Sequence, residues 1–305
     1  MRVQFKHIVC ATDFSDYANR TIPYGIALAK EFGAKLVICH VVDLSSIAIY
    51  GEFQLDPVGQ QDRIMEYAQA QLSQLLANRQ IEWEPVIVVG HTAEEISRIV
   101  DEKDIDLVIS ATRGRTGLKR LLLGSVTERL MHTLTCPLLV VHSPEQGFVD
   151  VADQKIQLKR VLVGCDFSED SGVAMQYGLS FAQEFEAELH LVHVVEPPTY
   201  QHMLKPPSAL QEEITQELRN RLEQKLRELV PEEARHWCTP ETALLEGNPY
   251  EELTRYAESH SIDMIVLGVR GHGLVKTLLV GSTTDRVIRK SPCPVLSVAS
   301  WVGKS

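Results

Sequence analysis

The sequence predicts an α/β chain of two doubly wound domains in tandem. Three observations predict it. The chain has 305 residues, and at about 100–200 residues per domain that length suits two. Its second half repeats its first. Within each copy, short β-branched runs alternate with stretches of helical apolar spacing, the pattern of βαβ units on a parallel sheet.

The repeat is explicit. KHIVCATDFSDYANRTIPYGIALAKEFGAKLVICHVVD, from Lys6, aligns without a gap on KRVLVGCDFSEDSGVAMQYGLSFAQEFEAELHLVHVVE, from Lys159. Asp13-Phe14-Ser15 falls on Asp166-Phe167-Ser168, and His40-Val41-Val42 on His193-Val194-Val195. RGRTGLKRLLLGSVTERLMHTLTCPLLVV from Arg113 aligns with RGHGLVKTLLVGSTTDRVIRKSPCPVLSV from Arg270. The register there has slipped by four residues, so the second copy carries a small insertion near Pro197-Pro198 or Pro206-Pro207. Self-similarity over long blocks in the same order marks a duplication. The polar segment between the copies, with a Pro and a Gly, reads as a linker over 144–157. The expected domains are therefore 1–143 and 158–305.

In the first copy, His7–Asp13 is a β-branched run ending at an acid, hence a buried strand. Tyr17–Phe32 has helical spacing and stops at Gly33. Lys35–Val42 reads as a strand. Val58–Asn78 reads as a polar helix with apolar positions at Ile64, Ala68, Leu72 and Leu75. Then come a strand at Glu82–Val89, a helix at Thr92–Glu102 with Thr92 as cap, and a strand at Asp106–Ala111. A helix at Ser125–His132 and a strand at Pro137–His142 close the copy. The second copy puts strands at Val161–Asp166, Glu188–Val195, Thr239–Leu245, Asp263–Gly268 and Val295–Ala299. A sheet of this kind binds ligands at the carboxyl ends of its strands, where strand order reverses.

The chemistry-bearing pattern follows the fourth strand. Gly268 and Gly271 are followed after nine residues by Gly281-Ser282; the first copy has Ala111, Gly114 and Gly124-Ser125 at the same spacing. A phosphate-binding loop needs inward-turned N–H groups with no Cβ in the way, and a helix N-terminus favours anions. Arg113 and Arg270 sit inside the loop at matching positions, as do Lys119 and Lys276. Ser125-x-x-Glu128 and Ser282-x-x-Asp285 resemble capping boxes and place a helix start at each serine. The plainer reading is that these glycines only turn the chain and these serines only cap; repetition at one spacing in both copies favours phosphate binding. Asp13 and Asp166 end the first strand of each copy. Each can accept from ribose hydroxyls or cap the next helix, and Ser15 and Ser168 compete for the cap. Val41 and Val194, at the end of the second strand, can read an adenine edge with their backbone or serve as core valines.

Taken together, the G-x2-G-x9-G-[S/T] pattern, the TDFS strand end, the HVV strand end and the CP-[LV]-L-x-V last strand resemble the universal stress protein family, twice over essentially the whole chain. That resemblance implies two Rossmann-like domains, each with a five-stranded parallel sheet of order 3-2-1-4-5. It implies an adenine nucleotide, ATP alone or with Mg2+, held between the first and fourth strands. It assigns Asp13, Val41, Gly114, Gly124 and Ser125 to one site, and Asp166, Val194, Gly268, Gly271, Gly281 and Ser282 to the other. Ala111 departs from the pattern where the family has its first glycine, and its methyl group can crowd a phosphate. In the family, last-strand edges pair between subunits; here Leu138–Val141 and Val295–Val298 are expected to pair the two copies as an intramolecular pseudo-dimer. A homodimer of the whole chain is a looser expectation.

The remaining features narrow the function. A net charge of -11 argues against nucleic-acid and anionic-membrane partners, which need a concentrated basic surface. No run reaches the ~20 apolar residues of a bilayer span, and the N-terminus is no secretory signal, so a cytoplasmic location is expected. The six cysteines form no CxxC pair and read as reduced thiols. His236 and Cys238 are a weak metal pair with no further ligand in view, so no metal is expected. His190 and His193 stand three apart on a strand and face opposite sides. A strand-end histidine with a local hydrogen bond is expected at His40 and His193, and His272 lies beside the second glycine loop. No GxxxxGK[ST], HxGH or SGGxDS motif occurs. The sequence thus reads as a nucleotide-binding stress module with slow or no ATP hydrolysis, no catalytic residue being assigned. The alternative is a nucleotide-free scaffold working through protein contacts.

Overall fold

A computed structural model describes residues 2–43, 57–77, 79, 81–112, 123–142, 147–150, 153–196, 209–271 and 280–300, with side chains described from 62 in the first long helix and from 216 in its counterpart. The chain divides into two compact units. One is built from 4–145 and 149–156, the other from 157–300 together with 1–3 and 146–148.

The first unit runs β1 (His7–Ala11), α1 (Asp16–Asn19), α2 (Thr21–Phe32), β2 (Lys35–Val42), α3 (Pro57–Leu76), β3 (Trp83–Val89), α4 (Thr92–Glu102), β4 (Leu107–Ala111), α5 (Ser125–Thr133) and β5 (Leu138–Val141). Its five strands lie in the order β3-β2-β1-β4-β5, every neighbouring pair parallel. The strands need no alternation because both faces are covered: Ile8, Val9, Cys10, Leu107, Val108 and Ile109 are all buried. A short antiparallel hairpin, β6 (Val149–Asp150) and β7 (Lys155–Ile156), lies within the segment read as a linker.

The second unit repeats the plan with β8 (Arg160–Gly164), α6 (Glu169–Phe185), β9 (Glu188–Val195), α7 (Ala209–Glu228), a 3₁₀ turn (Glu232–His236), β10 (Pro240–Glu246), α8 (Pro249–Ser259), β11 (Met264–Gly268), α9 (Ser282–Lys290) and β12 (Val295–Val298). The order is β10-β9-β8-β11-β12, again parallel throughout. Each unit is therefore a doubly wound domain on a sheet of order 3-2-1-4-5. The first residues of the chain belong to the second unit, where Val3 N–H donates to Ser180 Oγ at 2.7 Å and Arg2 pairs with Glu184.

Three expectations are corrected. The single helix over Tyr17–Phe32 is broken at Arg20 into α1 and α2. Pro23 supplies the reason: it has no N–H to donate to the Asn19 carbonyl, and its ring crowds that carbonyl. The second copy has Gln176 in that place, and α6 runs unbroken for 17 residues. Thr92 is the first helical residue of α4; the cap is His91, which makes no side-chain capping bond. In α3 the buried positions are Ile64, Ala68, Leu72 and Leu76, four apart, while Leu75 is half-buried.

Candidate functional site

The reversal of strand order falls between β1 and β4 in one unit and between β8 and β11 in the other. At the carboxyl end of β1 the chain turns through Asp13, Phe14 and Ser15. Ser15 N–H and Oγ–H donate to Asp13 Oδ1 at 3.0 and 2.6 Å, and Ser15 Oγ accepts from Ala18 N–H at 3.2 Å to cap α1. The second copy does the same: Ser168 N–H and Oγ–H reach Asp166 Oδ1 at 3.0 and 2.5 Å, and Ser168 Oγ caps α6 through Ser171 N–H at 3.2 Å. The serines, not the aspartates, are the caps. Each aspartate instead braces its capping serine.

Between them sits a phenylalanine in the left-handed region, φ 63° at Phe14 and 62° at Phe167. A bulky residue there is held against its own preference, and such strain collects at ligand sites. What holds it is visible: the Phe14 ring lies 4.2 Å from that of His40, and Phe167 lies 4.7 Å from His193. The histidines are fixed by the expected local bonds, Nδ1 to Thr12 O at 2.8 Å and to Cys165 O at 2.7 Å. In the second unit Lys225 of α7 adds an ammonium 4.1 Å from the Phe167 ring centroid.

Val41 and Val194 stand beside this turn. Thr12 N–H donates to Cys39 O on the β1 side, and Gly90 N–H to Val42 O on the β3 side. Main-chain groups alternate along a strand, so Val41 turns its N–H and C=O to the β1 side, past the last residue of β1. Cys165 N–H to Val192 O and Gly247 N–H to Val195 O give Val194 the same orientation.

The loop glycines of the second unit have two different reasons. A Cβ on Gly268 would stand 2.8 Å from the Asp170 carbonyl carbon and 2.9 Å from Ser171 N, so the residue is bare because α6 packs on β11 there. A Cβ on Gly271 would stand 2.7 Å from Asp166 Oδ2. The loop therefore passes directly against the Asp166 carboxylate just beyond β8, and a side chain at 271 would have to displace that carboxylate. Ala111, at the position of Gly268, is 8 % exposed. Both positions hold the following helix alike: Thr127 Oγ1 donates to Ala111 O, and Thr284 Oγ1 to Gly268 O, each at 2.7 Å.

The helices after the loops start at Ser125 and Ser282, as expected, but these serines are first helical residues rather than caps. Gly124 and Gly281 hold the cap position, and among the described residues neither helix has a side-chain capping bond. The capping-box pattern is therefore one residue out of register with the helix starts, and in the second copy Asp285 pairs with Arg289 at 2.8 Å, one turn along. First-turn amides left uncapped in this way are the groups that meet an anion. Arg113, Gly114, Lys119, His272 and Lys276 lie outside the described residues.

Arg270 is committed elsewhere. Its main-chain N–H and its Nε both donate to Asp170 Oδ2 at 2.9 Å, and its terminal nitrogen reaches Asp170 Oδ1 at 3.1 Å and Ser300 O at 2.9 Å. Ser300 N–H and Oγ–H also donate to Asp170 Oδ1, at 2.8 and 2.7 Å. Asp170 is 3 % exposed. Burial alone would push its carboxyl up, but the Arg270 guanidinium and the Ser300 donors outweigh it and hold the group below its ordinary value. Asp170 and Ser300 were invisible from motif spacing. The only signal is that Tyr17 occupies the place of Asp170 in the first copy.

His236 and Cys238 border an open depression of about 670 Å³, shared with Arg2, Trp237 and Glu188. Among the described residues no group of three or more His, Cys, Asp or Glu is placed to hold a metal, and no helix is long and apolar enough to cross a membrane.

Comparison with known proteins matches this geometry to a family. The profile of the universal stress protein family fits residues 4–142 and again 157–299. The chain belongs to the universal stress protein family. Along its whole length this universal stress protein is similar to universal stress protein Slr1230 of Synechocystis sp., at 27 % identity over 96 % of the chain and 99 % of that protein. One copy's length is similar to universal stress protein MJ0531 of Methanocaldococcus jannaschii, at 34 % identity over 47 % of the chain and 85 % of that protein. Among solved structures, a universal stress protein from Archaeoglobus fulgidus shares the fold with a TM-score of 0.68 at 22 % identity, covering 96 % of this chain and 98 % of that one.

Proposed function

We propose that each unit of this universal stress protein binds an adenine nucleotide in the crevice where its strand order reverses, as a regulatory ligand with slow or no hydrolysis. The observation that carries this reading is the close pass of Gly271 against Asp166 beside the uncapped start of α9. In this reading the Asp13 and Asp166 carboxylates take the ribose hydroxyls. The main chain of Val41 and Val194 reads the adenine edge. The amides at Gly124-Ser125 and Gly281-Ser282 receive the phosphates, with Gly271 giving the second loop its approach. Ala111, Gly268 and Arg270 shape the start of the loop. ATP, alone or with Mg2+, is the ligand this arrangement fits best: the donors for phosphate are main-chain amides at a helix start, which bind an anion without a resident metal.

Thermal unfolding with and without ATP tests this. A ligand present at about 100 times its dissociation constant stabilises the folded state by roughly 2.7 kcal/mol, a clear rise in melting temperature. Gly271→Val, which drives a Cβ into Asp166, removes the second unit's share of that rise. An unmoved melting curve at millimolar ATP, with no nucleotide co-purifying, favours the scaffold reading instead.

A further inference from the structure

The second unit contains a device that the first lacks at the corresponding position. We infer that Asp170 is a positioning residue for the phosphate loop of the second unit. It anchors the loop's first residue, Arg270, to the start of α6, so that binding of the nucleotide's phosphates, rather than of its adenosine part, depends on it. The inference rests on the nucleotide reading above and deepens it.

The geometry is specific. Asp170 uses both carboxylate oxygens, accepting from the Arg270 main-chain N–H, the Arg270 guanidinium, and the main chain and hydroxyl of Ser300. A main-chain hydrogen bond to a buried carboxylate fixes the backbone at that point, not merely a side chain. The residue so fixed is the one before Gly271, where a Cβ would stand 2.7 Å from Asp166 Oδ2. The loop returns at Gly281, whose N–H donates to Val269 O at 2.7 Å. Both ends of the loop are thereby fastened within three residues of each other, 269–271, around the anchor. Gly268 belongs to the same device: its missing Cβ is what lets the main chain at Asp170 and Ser171 reach β11.

The first copy replaces these parts. Tyr17 stands for Asp170; it is 41 % exposed and carries the Arg20 guanidinium 4.9 Å from its ring centroid. Ala111 stands for Gly268. Pro23 cuts the helix that would correspond to α6. No carboxylate on α1 occupies the anchoring position, because Asp16 is one residue out of register with Asp170.

Charge and position make opposite predictions for one substitution. Asp170 is an anion near the place proposed for a polyphosphate. If it acted only through its charge, Asp170→Asn would relieve repulsion, free Arg270 and tighten ATP. If it positions the loop, the same change weakens ATP and leaves adenosine, which has no phosphate, unaffected.

The test uses the full chain, a trace of 8-azido-ATP, and mapping of labelled peptides from 160–300. Unlabelled ATP or adenosine is titrated as competitor, so half-protection reads the affinity of each at the second unit alone. Asp170→Asn is expected to weaken ATP by at least about tenfold, the loss typical of a charge-assisted hydrogen bond, with adenosine within about twofold. Ser300→Ala removes one donor to Asp170 and is mild enough to fold if the first variant does not; it is expected to weaken ATP several-fold, again sparing adenosine. Tighter ATP binding in Asp170→Asn, or equal losses for ATP and adenosine in either variant, overturns the positioning role while leaving nucleotide binding intact. If the wild-type second unit shows no labelling that ATP protects, the nucleotide reading itself is wrong and this inference goes with it.

Discussion

Single residues in this protein are held by what surrounds them, and their ionisation records it. Asp170 is the clearest case. Its carboxyl is held below its ordinary value, so its folded pKa lies under its unfolded one. The stability it contributes is present at and above the unfolded value, near 4, and is lost as pH falls through the folded value. Asp170→Asn is therefore expected to cost about 3 kcal/mol at neutral pH, the low end for breaking a buried pair, because the Arg270 side chain is a third exposed. The same change should flatten the acid limb of the second unit's stability. Urea midpoints measured from pH 3 to 7 would check both. Burial is the main cause that pushes the thiols of Cys10, Cys39 and Cys293 up to about 12, with Glu95 adding to it at Cys39 and Asp263 at Cys293. At neutral pH these three should resist alkylation until the protein unfolds, which mass-resolved iodoacetamide labelling reads directly.

At the scale of elements, one residue decides whether the first helix of a copy is whole. Pro23 breaks it; Gln176 lets α6 run from Glu169 to Phe185. Gln176→Pro is expected to destabilise the second unit by about 3 kcal/mol, because it removes an interior helical bond and its ring meets a carbonyl one turn back. It should also disturb Asp170 in the first turn of that helix. Hydrogen exchange localised to 169–185 would show the lost protection, and protection matching wild type would refute the assignment. Much of this was legible beforehand: the strands, the helix starts at Ser125 and Ser282, and the order of elements all follow from periodicity and repetition. Cap identities were not. A short polar residue near a helix start can cap, brace or merely precede it, and only the path of the chain selects among these. Thus Ser15 and Ser168 took the caps, while Asp13 and Asp166 became their supports.

Over the whole molecule, duplication gave two copies of one fold that differ in a buried titratable cluster. At the amino ends of β9 and β10, His190 is buried between Glu188, 3.7 Å from Nε2, and Glu241, 3.5 Å from Nδ1. The Tyr256 hydroxyl lies 3.0 Å from Nδ1, and the His260 ring is 5.9 Å away. Burial lowers the imidazole pKa most; Glu241 and Glu188 oppose it, and His260 adds to the lowering. The net folded value is depressed, so the stability His190 contributes is complete above its unfolded value, near 6.5, and declines as pH falls through the folded one. The first copy has Val37 in place of His190, and Lys103 pairs with Glu84 at 2.6 Å where the second has His260 and Glu241. Amide protection should therefore fall in 160–300 before it falls in 7–141 as pH drops from 7 to 5. His190→Val should reduce the difference; equal losses in both units would refute it.

The sequence by itself determined the duplication, the doubly wound class and the family, because these are carried by apolar periodicity and by motifs whose spacing survives in both copies. It also placed Asp13, Val41, Asp166 and Val194 at or just beyond strand ends, since a residue's place along a strand is a local property. Tertiary structure alone decided which partners those residues meet. Gly268 is bare because of a helix, and Gly271 lies against a carboxylate. Arg270 turns to Asp170, 100 residues away in the chain. Such choices depend on which distant groups share a buried space, and no local pattern encodes that.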